Sequence, residues 1–214
     1  MVEAGKYWDI YYPEFLESRP SSFCTYLMEN FLQDTDSVIE IGCGNGRDGL
    51  HLAKIAKHYL GIDSSISAIK SAQILFESAG LNPRKYQLLQ QDFADLELPS
   101  TCERLIIYSR FSLHADTEYV EDRLLKKFID YKSVPILVAV EARTIFDELF
   151  GKGKLVGKNS YLTDHFRRFL DPIEFQNKIS SDFTIIEFQV KKGFATYKNE
   201  DPKVMRVIFS KNTN

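Results

Sequence analysis

The sequence predicts a doubly wound α/β fold, a mainly parallel seven-stranded sheet flanked by helices, with one antiparallel strand near the C-terminus. Three observations predict it. Apolar runs of strand length alternate with amphipathic stretches of helix length between Val38 and Ala142, which is the pattern of βαβ units around a parallel sheet. Three glycines, Gly42, Gly44 and Gly46, follow the first apolar run directly and precede a helical pattern. Near the C-terminus two alternating segments are joined by KKGFATYKNEDPK, too short for a comfortable crossover helix, so this pair is antiparallel.

The elements follow in order. Residues 21–32 read as a helix opened by a serine cap, with Phe23, Tyr26, Leu27 and Phe31 sharing one face. The first strand is 38–41, and a helix starts near Asp48 with Leu50, Leu52, Ala53 and Ile55 apolar. The second strand is 59–62 and ends in Asp63; Ser64 and Ser65 then offer an N-cap to a helix closed by Gly80. Strands at 86–89 and 105–108, a charged helix at 118–131 and a strongly apolar strand at 134–142 complete the regular part. Residues 143–170 mix Gly, Lys, Arg and aromatics with little periodicity and read as an inserted loop or lid. A short helix at 172–179 precedes the closing strands at 183–190 and 204–209.

At 214 residues the chain suits one sizeable core. A single domain over 1–214 is expected, with an N-terminal helical lid over 1–33, a ligand-binding core over 37–141 and the insert over 143–170. Lys and Arg number 27 against 30 Asp and Glu, without long single-sign blocks, which argues against a nucleic-acid stripe or a membrane-adsorbing face. No run approaches the roughly 20 apolar residues of a membrane span, and MVEAGKYWDIYYPEF lacks the features of a secretory signal. A soluble cytoplasmic protein is the expectation. Cys24, Cys43 and Cys102 are odd in number and far apart, so reduced thiols are expected, with neither a disulfide framework nor a zinc site.

Glycine-rich turns between strand and helix let a ligand approach bare backbone at the carboxyl edge of an open sheet. The dinucleotide spacing G-x-G-x-x-G is not met, because Arg47 stands next after Gly46. A Walker phosphate loop is not met either, since no Gly-Lys-Ser/Thr follows. The stretch Glu40-Ile41-Gly42-Cys43-Gly44-Asn45-Gly46 resembles the first motif of class I S-adenosylmethionine-dependent methyltransferases. In the same order come an acidic residue closing the second strand (Asp63), Asp92-Phe93 after the third, and Tyr108-Ser109 at the end of the fourth. The closing antiparallel pair is similar to strands six and seven of that Rossmann-like fold.

The resemblance implies S-adenosyl-L-methionine as cofactor and assigns roles. Gly42, Gly44 and Gly46 would form the floor under its ribose and methionine parts; Asp63 would accept from the ribose diol, and Asp92 from the adenine amino group, with Phe93 as an apolar wall. Glu40 would act near the methionine ammonium, and Ser64 and Tyr108 join the cofactor set. Arg47 and Asp48 read as helix-start residues. No metal is implied.

On the acceptor side, His114 in YSRFSLHAD lies just past the fourth strand and reads equally as an acceptor base or a helix-start histidine. His51 and His58 read as structural. Arg110, Arg143, His165 and Arg168 form a candidate acceptor-binding set, because guanidinium groups match carboxylates and phosphates bidentately. Tyr11 joins it from YWDIYYPEF, which resembles the aromatic lids that close over this cofactor. The segments SRFSLHA, EAR, DHFRRF and KNEDP resemble small bacterial methyltransferases of surface-polysaccharide and small-molecule biosynthesis. The implied partner is a small acceptor, acidic or a sugar, methylated on oxygen; neither nucleic acid nor membrane is expected. Two alternatives stand beside it: a nicotinamide-dependent oxidoreductase, and a silent cofactor-binding partner subunit.

Overall fold

The computed structural model describes residues 19–197 and 199–212. The aromatic segment with Tyr11, and with it most of the expected lid, lies outside the described residues. A seven-stranded sheet has the order β3-β2-β1-β4-β5-β10-β9, with β1 at Ser37–Ile41, β2 at His58–Asp63, β3 at Tyr86–Gln90, β4 at Leu105–Arg110, β5 at Ile136–Arg143, β9 at Phe183–Lys191 and β10 at Val204–Lys211. Within the chain two compact units are distinguished, one ending at Tyr108 and one beginning at Ser109.

In the first unit, β1 pairs in parallel with β2, and β2 with β3. All of β1 is buried, as expected of a parallel strand covered on both faces. Helix α1 (Ser22–Asn30) starts where Ser21 accepts the Cys24 N–H, and buries Phe23, Cys24 and Leu27. Helix α2 (Gly49–Ile55) follows the glycine turn, and α3 (Ile66–Ser78) is capped by Ser65, which accepts from Ala68 N–H. Beside β1, the Arg104 guanidinium holds the buried Asp36 carboxylate through two bonds of 2.8 and 2.6 Å.

The second unit contains a short turn of helix at Leu113–Ala115, helix α4 (Glu118–Asp130), helix α5 (Pro172–Ile179) and the antiparallel partners β10–β5 and β10–β9. The insert departs from the expected loop. It folds as a three-stranded antiparallel sheet of β6 (Lys154–Gly157), β7 (Ser160–Leu162) and β8 (Phe166–Arg168). Strands of three or four residues, with a bulge between Leu155 and Gly157, are too short to display a period of two. The insert is anchored by Phe150, Tyr161 and Phe169, whose rings meet edge to face at 5.4 to 6.0 Å.

A buried ion network ties β8 to α4 and α5. Glu121 is 2% exposed and accepts from Arg168 (2.7 Å) and Lys178 (2.8 Å); Lys178 also reaches Glu118 and Asp122. Burial works to lower the Lys178 pKa, but the hydrogen bonds from its ammonium to these carboxylates prevail and raise it. Among the described residues no helix is long and apolar enough to cross a membrane.

Removing one member of such a network strands the others. Glu121→Ala is therefore expected to cost about 3–5 kcal/mol in urea unfolding, whereas Lys126→Ala, which breaks an exposed pair with Asp130, leaves the midpoint where it was. A loss below about 1 kcal/mol for Glu121→Ala would show that the network contributes no more than a surface pair.

Candidate functional site

The turn after β1 is left-handed at Gly42 (φ 68°), Gly44 (φ 54°) and Gly46 (φ 79°). At Gly46 the packing excludes a side chain as well: a Cβ there would lie 2.8 Å from the Phe76 ring and 3.0 Å from Ala72 Cβ on α3. The N–H groups of Gly42, Cys43, Gly44 and Gly46 point into the protein. Gly42 and Cys43 donate to the Ile62 carbonyl (2.8 and 3.0 Å), Gly44 to the Asp63 carboxylate (2.9 Å) and Gly46 to the Cys43 carbonyl (3.0 Å).

Three buried carboxylates surround this turn. Asp63 uses its second oxygen to accept the Ser65 N–H at 2.9 Å. Glu40 accepts from the Tyr59 hydroxyl at 2.6 Å, so burial and then Glu40 push the Tyr59 pKa well up. Asp48, which reads from sequence as a helix-start residue, makes no side-chain cap. It accepts instead from Ser21 N–H, Ser21 Oγ and Tyr108 Oη, each at 2.7 Å. The Cys43 thiol is raised by burial and then by Glu40 and Asp63, which reports the negative field of the turn. Nothing local in the sequence marks Asp48 for this role, since its partners stand 27 and 60 residues away.

Of the other expected cofactor residues, Asp92 is exposed, with one oxygen capping the short turn Phe93–Asp95 through Ala94 N–H (2.8 Å). Phe93 is half-buried and Ser64 exposed. Tyr108 differs from expectation. Its side chain is fully buried, stacked on Phe23 at 5.4 Å and bonded to Asp48, so it serves the core and leaves only its backbone to a ligand.

In the second unit His114 is buried, and its Nδ1 accepts the Arg143 N–H at 3.2 Å. Burial first, then the charges of Arg143, Arg167, Arg168 and His165, hold its pKa well below the usual histidine range. With Nδ1 accepting, a neutral ring carries its proton on Nε2. That tautomer offers a donor where a general base needs a lone pair, so this geometry suits His114 to positioning. Phe111 beside it has φ 61°, a strained conformation for a bulky residue. Its ring lies 5.3 Å from the His114 ring, 4.5 Å from the Arg110 guanidinium and 5.9 Å from that of Arg143. The sequence carries no signal for this backbone.

The expected arginine clamp is likewise redistributed. Arg168 donates to the carbonyls of Asp116 and Leu113 and to Glu121 (3.0, 3.1 and 2.7 Å), so it braces β8 and is not an open clamp. Arg110 and Arg206 share the two oxygens of buried Glu141 (2.8 and 2.5 Å). Arg143 holds Asp147 through bonds of 3.1 and 3.2 Å, and Glu200 at 2.5 Å. His165 Nε2 lies 2.9 Å from Arg167 and its Nδ1 3.0 Å from Asp164; burial and then Arg167 lower its pKa. Among the described residues no group of His, Cys, Asp and Glu is arranged to hold a metal ion.

A family profile described as a methyltransferase domain matches residues 32–120. No curated protein matches the sequence. The structure is similar to an S-adenosylmethionine-dependent methyltransferase from Methanosarcina mazei (TM-score 0.70, 20% identity, 88% of this chain and 98% of that one). It is also similar to one from Clostridium acetobutylicum (0.64, 15%, 99% and 93%). A third likeness is to magnesium protoporphyrin IX methyltransferase from Synechocystis, solved with SAH bound (0.61, 12%, 89% and 80%). At these identities the likeness concerns the fold.

The depressed histidines give a signed pH dependence. Below about pH 6.5 the unfolded chain takes up protons that the folded imidazoles refuse. Stability is therefore full above that pH and is lost as the pH falls toward the lower folded values, at up to about 1.4 kcal/mol per pH unit for the fully buried His114 and less for His165. His114→Asn, whose side-chain oxygen can still accept the Arg143 N–H, is expected to flatten the slope between pH 6.5 and 5 by about one histidine's share. Parallel stability curves for the two proteins would mean that His114 titrates normally.

Proposed function

We propose that this chain, whose residues 32–120 match a methyltransferase-domain profile, is a class I S-adenosylmethionine-dependent methyltransferase that methylates an oxygen of a small acidic acceptor. One observation carries the cofactor half of the reading. The N–H groups of Gly42, Cys43, Gly44 and Gly46 are taken up by Ile62, Asp63 and Cys43, and Glu40, Asp48 and Asp63 are buried around the turn. A pyrophosphate needs outward N–H donors and suffers beside carboxylates, which disfavours the nicotinamide alternative. A sulfonium and an ammonium are favoured by the same field, so the residues present fit S-adenosyl-L-methionine, the cofactor of this domain.

Bound there, the cofactor supplies an activated methyl group. Asp63 would accept from the ribose diol with the lone pairs that Gly44 and Ser65 leave, and the second oxygen of Asp92 would accept from the adenine amino group beside Phe93. Ser64 stands exposed between them in sequence. Glu40, bonded to Tyr59, acts through the field under the turn.

For the acceptor, the His114 tautomer supports transfer without a histidine base, so the attacking oxygen is one already ionised near neutral pH. A carboxylate or phosphate meets this condition, and a sugar acid or phosphorylated sugar of a bacterial surface-glycan precursor carries such groups. Arg143 is the cation suited to hold it, because its partner Glu200 has a 61% exposed side chain that an incoming carboxylate can replace. His114, donating from Nε2, and the ring of Phe111 would orient the acceptor. Arg110 and Arg167 would contribute positive charge from fixed positions, with His165 as a neutral polar ring beside Arg167.

Four variants test this. Asp63→Asn turns an amide donor toward the N–H of Gly44 or Ser65 and is expected to weaken S-adenosylmethionine binding roughly tenfold to a hundredfold by calorimetry. Unchanged affinity in the folded variant would remove Asp63 from the site. A screen of carboxylated, phosphorylated and neutral sugars and metabolites, following S-adenosylhomocysteine release, identifies the acceptor. On it, Arg143→Gln should raise KM, Glu200→Gln should lower it, and His114→Asn should reduce kcat less than about tenfold, against about 10² to 10⁴ for a lost base. Turnover of neutral sugars with carboxylates and phosphates inert would contradict the acidic-acceptor reading.

A further inference from the structure

The sheet of the insert has an open side. Every residue of β6 is exposed, and five of the twelve exposed large hydrophobics among the described residues, Phe146, Phe150, Leu155, Val156 and Leu162, fall within residues 146–162. After Asp147 and Glu148, which are paired with Arg143 and Lys192, this stretch carries one sign of charge. Residues 149–163 contain Lys152, Lys154 and Lys158 and neither Asp nor Glu, in a chain whose acids outnumber its bases 30 to 27. Lys158 reaches Glu174 across an exposed pair, while Lys152 and Lys154 make no ion pair among the described residues. A whole-chain charge balance conceals this surface, which is why the sequence analysis expects no membrane-adsorbing face.

We propose that β6 and the residues leading into it dock on an anionic lipid bilayer. The lysines would meet headgroup phosphates, and Leu155 and Val156, both exposed on this open strand, would enter the boundary with the acyl chains. Cation and aliphatic group together select this partner. A nucleic acid satisfies the lysines but gives the aliphatic side chains nothing. An added peptide strand needs pockets for alternate side chains, whereas β6 is open on both faces. A second copy paired along β6 would bring like-charged lysines together. The net negative charge of the chain opposes other approaches to an anionic surface and so orients this one.

The test is co-sedimentation of the full chain with phosphatidylcholine vesicles made with and without phosphatidylglycerol. Binding is expected only where phosphatidylglycerol is present, and it should weaken with salt. Each lysine near the surface is worth about fivefold in partitioning, so Lys152→Glu/Lys154→Glu should lose at least about 25-fold. Leu155→Ser/Val156→Ser should also weaken binding, with a loss that persists at high salt. Far-UV circular dichroism and S-adenosylmethionine affinity, unchanged in both variants, establish that the fold is kept. The proposal is overturned by equal sedimentation with both vesicle types, by a Leu155→Ser/Val156→Ser variant that binds like wild type, or by tighter binding to a duplex oligonucleotide than to the vesicles.

Discussion

One carboxylate fixes the turn on which the first unit depends. Asp63 receives the N–H of Gly44 on one oxygen and that of Ser65 on the other, tying the turn after β1 to the end of β2 and to the start of α3. The parallel register, Ile41 opposite Ile62, brings the two strand ends level. Because the Asp63 carboxylate and the carbonyls of Ile62 and Cys43 take up the N–H groups of Gly42, Cys43, Gly44 and Gly46, these four donors are not presented to an anion. The glycines are needed for shape, and Gly46 for its contact with Phe76 and Ala72. Asp48 extends the same arrangement outward, joining α1 through Ser21 to the end of β4 through Tyr108.

Charge in the second unit follows a different rule. Two of its buried carboxylates each meet two cations, Glu141 with Arg110 and Arg206, Glu121 with Arg168 and Lys178. Desolvating such groups is costly unless they are paired and hydrogen-bonded, so these cations are held in place by the fold. Arg143 differs in having one partner fixed and buried, Asp147, and one largely exposed, Glu200. Exchange of the exposed partner for an acidic ligand leaves the buried pair intact, and that asymmetry makes Arg143 the better acceptor residue.

What was legible in the sequence was whatever has a local cause. Serine caps at Ser21 and Ser65, the Pro172–Ile179 helix and the closing antiparallel pair were readable because capping, proline at a helix start and short connections act within a few residues. The glycine turn and Asp63 were readable because their spacing is shared across a family. Illegible were the groups whose partners are distant in sequence: Asp48 with Ser21 and Tyr108, and Arg168 with Glu121. Periodicity favours neither Arg167 nor Arg168 as the buried one; the register of β7 and β8, which sets Ser160 opposite Arg168 and Tyr161 opposite Arg167, decides it. The strain at Phe111 had no local signature, since nothing in SRFSL requires a left-handed residue.

The central claim is that the inward-bonded glycine turn and Asp63 form a site for a cationic nucleoside cofactor. Amide chemical-shift mapping of the full chain tests it most directly, with S-adenosylmethionine and NADH titrated separately. The account predicts that S-adenosylmethionine shifts the amides of Gly42, Gly44, Gly46, Asp63, Ser64 and Phe93 most strongly and that NADH leaves them in place. Shifts of these amides by NADH alone, or a S-adenosylmethionine response confined to other parts of the chain, would contradict it.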